Sequence, residues 1–248
     1  MPLLKTSAII LHSRKWGEAD RIVTCYTRHF GKIRAIARGA RRMKSRLGGS
    51  LEPFVLCHLD LFEKPGDSLY RVSQVAMQEP FSKFREDLAL MTAAARIVNL
   101  VAAISAERDA DSSMFEALEQ GLRQLALGPD PGLTVLLFQI RMLGLTGFKP
   151  QTDYCASCGR QRPDTVPHFS PAAGGLVCIA CAGHQPGTCV PLSQGSVAFL
   201  RQALHLTPNL LSRLNAVGQV RSEIETAIEG YVTAVAGRRL PAVDLMAT

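Results

Sequence analysis

Apolar and polar positions alternate along the first third of the chain. Beyond it they recur at three- and four-residue intervals. Alternation predicts strands at Thr6–Ser13, Asp20–Thr27, Gly31–Arg38, Phe54–Glu63 and Tyr70–Ala76. In the third, Ile33, Ala35 and Ala37 fall on one face and Lys32, Arg34, Ile36 and Arg38 on the other. A basic strand face of this kind is expected to be exposed. The fourth sets Leu59 and Leu61 opposite His58, Asp60 and Phe62, and Lys64-Pro-Gly-Asp67 reads as the turn of a hairpin into the fifth. Five short strands in about 80 residues predict a small barrel of the OB type.

Pro80 marks a boundary. Phe84, Leu88, Met91, Ala95, Val98 and Ala102 then form a helical stripe. Asp111-Ser112-Ser113 caps a second helix carrying Phe115, Leu118, Leu122 and Leu125, and Gly128-Pro129 stops it. Residues 133–143 are apolar nearly all round, which predicts a central helix. Ser193 starts another through Val197, Leu200 and Leu204, and Asn209 a short one. Val220, Ile224, Ile228 and Tyr231 line the last, which ends at Gly237. The expected class is α+β: a five-stranded OB-type domain over 1–80, then a helical bundle over 81–248 with a cysteine-rich insert at about 150–190. No repeat or low-complexity segment appears.

Charge sharpens the division. Residues 1–80 carry 14 basic and 7 acidic groups, whereas residues 81–248 carry 14 of each, so the whole +7 lies in the first third. Arg21 to Leu51 holds nine Arg or Lys residues (Arg21, Arg28, Lys32, Arg34, Arg38, Arg41, Arg42, Lys44 and Arg46) and no acid. Such a run is either a solvated face or a polyanion site, and its length with strand alternation inside favours nucleic acid. Arg14 joins the candidate set with Lys32, Arg34, Arg38, Arg41, Arg42, Lys44 and Arg46. Trp16, beside Gly17 in an expected loop, either touches a base or caps the barrel. Cys25 and Cys57, in strands, read as buried free thiols.

Cys155-Ala-Ser-Cys158, then nineteen residues, then Cys178-Ile-Ala-Cys181 is the strongest motif in the chain. Two C-x-x-C knuckles give four thiolates that can converge tetrahedrally on Zn²⁺. His168-Phe-Ser and Leu176-Val flank Pro171-Ala-Ala-Gly-Gly175 as a hairpin, and the whole resembles a zinc ribbon. Four thiolates leave no open coordination position, so one structural Zn²⁺ is expected. A redox dithiol would need a βαβ setting that is absent. Cys189 and His184 read as bystanders, and Arg160 and Arg162 as an alternative DNA contact.

Motifs for catalysis are missing. There is no G-x-x-x-x-G-K-[ST], no H-E-x-x-H, and no H-x-E paired with P-C-x-x-C. Glu18 and Asp20 are the one near pair of acids in the basic module, so no nuclease metal cluster is expected and no enzyme is predicted. The start Met1-Pro-Leu-Leu-Lys lacks a leader pattern, and Arg96 and Asn99 interrupt the most apolar span, Leu88 to Ile104. An odd seven cysteines, four of them bunched, suit metal binding in a reducing cytosol. The expected localisation is cytoplasmic and nucleoid-associated, with no membrane contact.

The run Glu18–Arg42 (EADRIVTCYTRHFGKIRAIARGARR), followed by Leu51-Glu-Pro-Phe54, resembles the N-terminal domain of the bacterial recombination and repair mediator family RecO. The basic β module, helical bundle and late cysteine pairs follow that family's order along essentially the whole chain. The resemblance implies an OB-fold domain and a helical domain bearing a zinc ribbon. It implies binding of single- and double-stranded DNA and annealing of complementary strands. It also implies association with RecR, contact with the C-terminal tail of single-stranded-DNA-binding protein, and indirect help in loading the RecA recombinase during gap and double-strand-break repair. An RNA-binding OB-fold plus zinc-ribbon protein without a recombination role is the alternative.

Overall fold

The computed structural model describes residues 3–43, 45, 47–63, 66, 68–161, 167–206 and 213–240. The chain divides into two compact units that part between Gly128 and Pro129.

The first unit is built on five strands: β1 (Leu3–Trp16), β2 (Asp20–Thr27), β3 (Gly31–Ala37), β4 (Leu56–Phe62) and β5 (Tyr70–Glu79). The order β1-β2-β3-β5-β4 closes on itself, because β1 pairs antiparallel with both β2 and β4. A register shift between Ile10 and His12 lets one long strand serve two neighbours, β4 through its first half and β2 through its second. The closing seam is parallel and short, Ala35 opposite Tyr70 and Ile36 opposite Arg71. Inward positions fill the interior with Ala8, Ile10, Val23, Ile33, Ala35, Leu59, Leu61 and Val72. Cys25 and Cys57 lie among them as free thiols, and burial pushes both up, Cys57 to about 12.

The strands expected from alternation are present, with two differences. Strand β1 runs on to Trp16, so that residue ends a strand and is not in a loop. The outward face of β3 is not exposed: Lys32, Arg34 and Ile36 are each half-buried. Of the expected turn at residues 64–67, Gly66 alone lies within the described residues.

Three helices complete this unit: α1 (Lys83–Glu86), α2 (Leu88–Ile104) and α3 (Ser112–Leu127). Asp87 and Asp111 cap the two long ones, each accepting two backbone N–H groups through its carboxylate. The α3 stripe Phe115, Leu118, Leu122 and Leu125 is buried as its spacing predicts. In α2 burial runs almost unbroken from Ala93 to Val101, while Leu88 is exposed. The reason is that α2 packs against both α3 and β1, where Asn99 Oδ1 accepts from His12 Nε2 at 2.8 Å.

The second unit holds α4 (Pro131–Leu145), α6 (Gln194–His205) and α7 (Gly218–Ala236), packed on one another, with a four-cysteine module between α4 and α6. Ser193 caps α6 by accepting from the Ser196 N–H. The module consists of β6 (His168–Ser170), β7 (Gly175–Val177), the short α5 (Ile179–Ala182) and β8 (Val190–Pro191), in sheet order β7-β6-β8. Its hairpin rests on α7, with Phe169 edge-on to Tyr231 at 5.8 Å. The helix expected from Asn209 lies outside the described residues. No described helix is long and apolar enough to cross a membrane.

Candidate nucleic-acid interface and metal centre

The basic run of the first unit separates into engaged and open cations. Arg21 pairs with Glu52 at 2.9 Å, and Arg28 pairs with Glu116 at 2.9 Å while lying over the Phe115 ring. Lys32 Nζ donates to Ala102 O at 2.7 Å, at the end of α2. Burial pushes its ammonium below the ordinary lysine range, partly offset by Glu107. Arg34 Nε lies 3.2 Å from the Glu107 carboxylate, an ion pair without hydrogen-bond alignment. The connection between α2 and α3 thus covers the β3 face, and Arg108 N–H donates to Lys32 O at 2.9 Å. That cover corrects the expectation of an exposed basic strand face at Lys32 and Arg34.

Arg14, Arg38, Arg41 and Arg42 are exposed, as is Lys15, which the candidate set omitted. Among the described residues no carboxylate pairs with any of these five. They share one end of the sheet. Arg14 and Lys15 stand at the tip of β1, and the segment after β3 folds back onto the β1–β2 turn. Four contacts hold it there: Gly39 N–H to Asp20 Oδ1 at 2.8 Å, Arg41 N–H to Ala19 O at 2.9 Å, and Arg41 Nη1 to Gly17 O at 3.1 Å and Glu18 O at 2.9 Å. Trp16 is 51% exposed at the same end, with the Arg14 guanidinium 5.9 Å from its ring centroid. Lys44 and Arg46 lie outside the described residues. Sequence reasoning missed the part Asp20 plays. The signal was present, in a carboxylate at the very edge of the acid-free basic run.

The second unit brings Cys155, Cys158, Cys178 and Cys181 together, with all four Sγ atoms within 4.8 Å of one another. Cys158 Sγ and Cys178 Sγ are 4.0 Å apart. A tetrahedron with Zn–S of about 2.3 Å has S···S edges of about 3.8 Å, so a small contraction would seat such an ion. The first knuckle turns at Gly159, whose φ of +71° favours glycine and whose N–H donates to Cys155 O at 2.9 Å. The second sits on α5, entered directly from β7. Burial pushes the Cys155 thiol up, but backbone N–H groups of Cys178, Cys158 and Ser157 outweigh it and bring it down to about 6. Hydrogen bonds that the Cys181 thiol donates toward Cys178 and Cys158 push it up to about 12. Cys189 packs against the cluster and donates to Ala182 O, outside the four-sulfur group. Arg160 is exposed beside the first knuckle, and Arg162 lies outside the described residues.

Two family models cover the chain, the one described as Recombination protein O N terminal at residues 1–81 and the one described as Recombination protein O C terminal at residues 85–243. The chain belongs to the RecO family. Among relatives named DNA repair protein RecO, that of Thermoanaerobacter sp. (strain X514) is 30% identical over 233 residues, covering 94% of this chain and 92% of the relative. That of Bacillus pumilus (strain SAFR-032) is 31% identical over 244 residues, covering 98% and 93%. That of Rubrobacter xylanophilus is 34% identical over 203 residues, covering 82% and 81%. The two RecO models meet between residues 81 and 85, where strands give way to helices. Packing instead groups α1, α2 and α3 of this RecO-family chain with the sheet.

Proposed function

We propose that this chain is a DNA-binding recombination mediator acting in gap and double-strand-break repair, and that it works by binding and not by turnover. The observation that carries the reading is the end of the closed sheet where Arg14, Lys15, Arg38 and Arg42 stand open beside an exposed Trp16. Lys44 and Arg46 follow in the same segment. Cations without carboxylate partners are the groups that phosphates can neutralise, and an exposed indole offers a stacking face to an unpaired base. The strand order, with its parallel β3–β5 seam, supports an OB-fold barrel, an architecture that presents such loops to oligonucleotides.

Annealing needs no nucleotide: a basic surface screens two phosphate backbones until pairing takes over. Sequence preference is slight because the contacts are to phosphate. Membership of the RecO family supports association with RecR; contact with the tail of single-stranded-DNA-binding protein, indirect help to RecA and a cytoplasmic setting are part of the same proposal. The four-cysteine module is read as a zinc ribbon holding one structural Zn²⁺, with Cys155, Cys158, Cys178 and Cys181 as ligands. Four soft donors and no open position suit bracing and not catalysis.

The test is strand annealing without nucleotide on DNA coated with single-stranded-DNA-binding protein, together with a salt titration of single-strand affinity. If about six phosphates are neutralised, log K falls against log[salt] with a slope of about −4. The double change Arg38→Ala with Arg42→Ala lowers that slope by about 1.4. A slope near zero, or equal annealing with and without protein, overturns the reading, and tighter binding to matched RNA strands would turn it toward RNA.

A further inference from the structure

Arg41 and Asp20 lie on the basic surface, and the side chain of each is engaged by the protein's own backbone. The Arg41 guanidinium is held by two carbonyls, Gly17 O at 3.1 Å and Glu18 O at 2.9 Å. The Asp20 carboxylate accepts from Gly39 N–H at 2.8 Å. The backbone adds Arg41 N–H to Ala19 O at 2.9 Å. The β2–β3 ladder ends at Arg21 opposite Ala37, so beyond it the segment is held by these bonds and by the buried Ala40. The two open cations Arg38 and Arg42 flank the clipped residues, and Arg42 N–H donates to Gly39 O at 3.1 Å within the same turn. We propose that Asp20 and Arg41 are positioning residues for strand binding, which hold the segment after β3 against the β1–β2 turn so that Arg38 and Arg42 are presented as a fixed pair. This rests on the nucleic-acid reading of the same surface.

The physical consequence runs against simple electrostatics. Asp20 is a negative charge inside a site for a polyanion, and on charge alone its removal strengthens binding. As a clip, its removal frees the segment, and the strand must then order that segment on binding. The loss of one such hydrogen bond corresponds to about fivefold in affinity. Glu18 supplies the control. It is exposed two residues away and enters the clip through its carbonyl alone, so Glu18→Ala removes the same charge without breaking a side-chain bond.

The experiment measures single-strand affinity and its salt slope for the full chain and four variants. Asp20→Ala is expected to bind about fivefold more weakly with an unchanged slope, and Asp20→Asn, whose amide oxygen still accepts from Gly39, to regain most of the affinity. Glu18→Ala is expected to bind as well as the parent or better. Arg41→Lys keeps the charge but its ammonium ends one bond short of the Nη1 that meets both carbonyls, so it too should bind more weakly at constant slope. Thermal melting of each variant confirms that the sheet is folded. Tighter binding by Asp20→Ala, or equal effects of Asp20→Ala and Glu18→Ala, overturns the positioning role while the parent's salt dependence still supports the DNA reading. A parent without salt-dependent binding removes the reading itself.

Discussion

Glu223 on α7 caps α6 from outside that helix. Its carboxylate accepts from Ser193 N–H at 2.7 Å and from the Ser196 hydroxyl at 2.6 Å, and Gln219 Nε2 donates to its other oxygen at 2.6 Å. Burial pushes the Glu223 carboxyl up, but these donors outweigh it and bring it from 4.5 down to about 2. The folded value lies below the unfolded one, so the unfolded chain binds the proton more readily. The stabilisation is therefore full above 4.5 and is lost as pH falls toward 2. Glu223→Gln should lower stability by ~1 kcal/mol at neutral pH and flatten the acid limb of Tm against pH in that window. An identical acid limb in the variant would assign the acid sensitivity elsewhere. Ser193 was legible as a cap in the sequence because its partner amide is three residues away. Glu223 was not, being thirty residues further on with nothing local to mark it. Lys32 and Arg34 show the same limit, since alternation assigns a side chain to a face without saying what covers that face.

At the scale of elements, the cover of β3 is built on a close approach. Gly31 opens the strand at φ +63°, and a Cβ there would stand 2.0 Å from Asp109 O in the connection between α2 and α3. Both the backbone conformation and the contact exclude a side chain. Gly31→Ala should therefore destabilise the first unit by ~3 kcal/mol, read as a lower denaturation midpoint at an unchanged denaturant slope. A midpoint within error of the parent would mean that the connection moves away at little cost. The elements themselves were legible. Alternation located every strand of the closed sheet, and Asp111 and Ser193 marked helix starts. Leu88 was misplaced in a stripe because a helix packed on two sides buries continuous positions such as Ala93, Ala94 and Ala95, which a one-sided period does not describe.

The whole chain carries two chemistries in separate compact units: open cations in the first and four convergent thiols in the second. The cysteines were fully legible, because C-x-x-C spacing encodes a local turn and two such turns need only meet. The division between Gly128 and Pro129 was not, because amphipathic periodicity shows that a helix has a buried side without naming what it packs against. That division makes the two chemistries separable by experiment. The four-cysteine hairpin has little apolar material beyond Val177, Phe169 and Leu176, so losing an ion there costs local fold. The open cations of the first unit draw on none of those ligands. Cys158→Ser, or treatment with a strong chelator, should reduce zinc from about one per chain by elemental analysis and lower the melting of the second unit. The salt slope for single strands should stay near −4, because the number of phosphates neutralised is unchanged. Zinc content that survives Cys158→Ser rejects the ligand assignment. A slope that falls with metal loss would bring the cysteine module, with Arg160 beside its first knuckle, into strand binding.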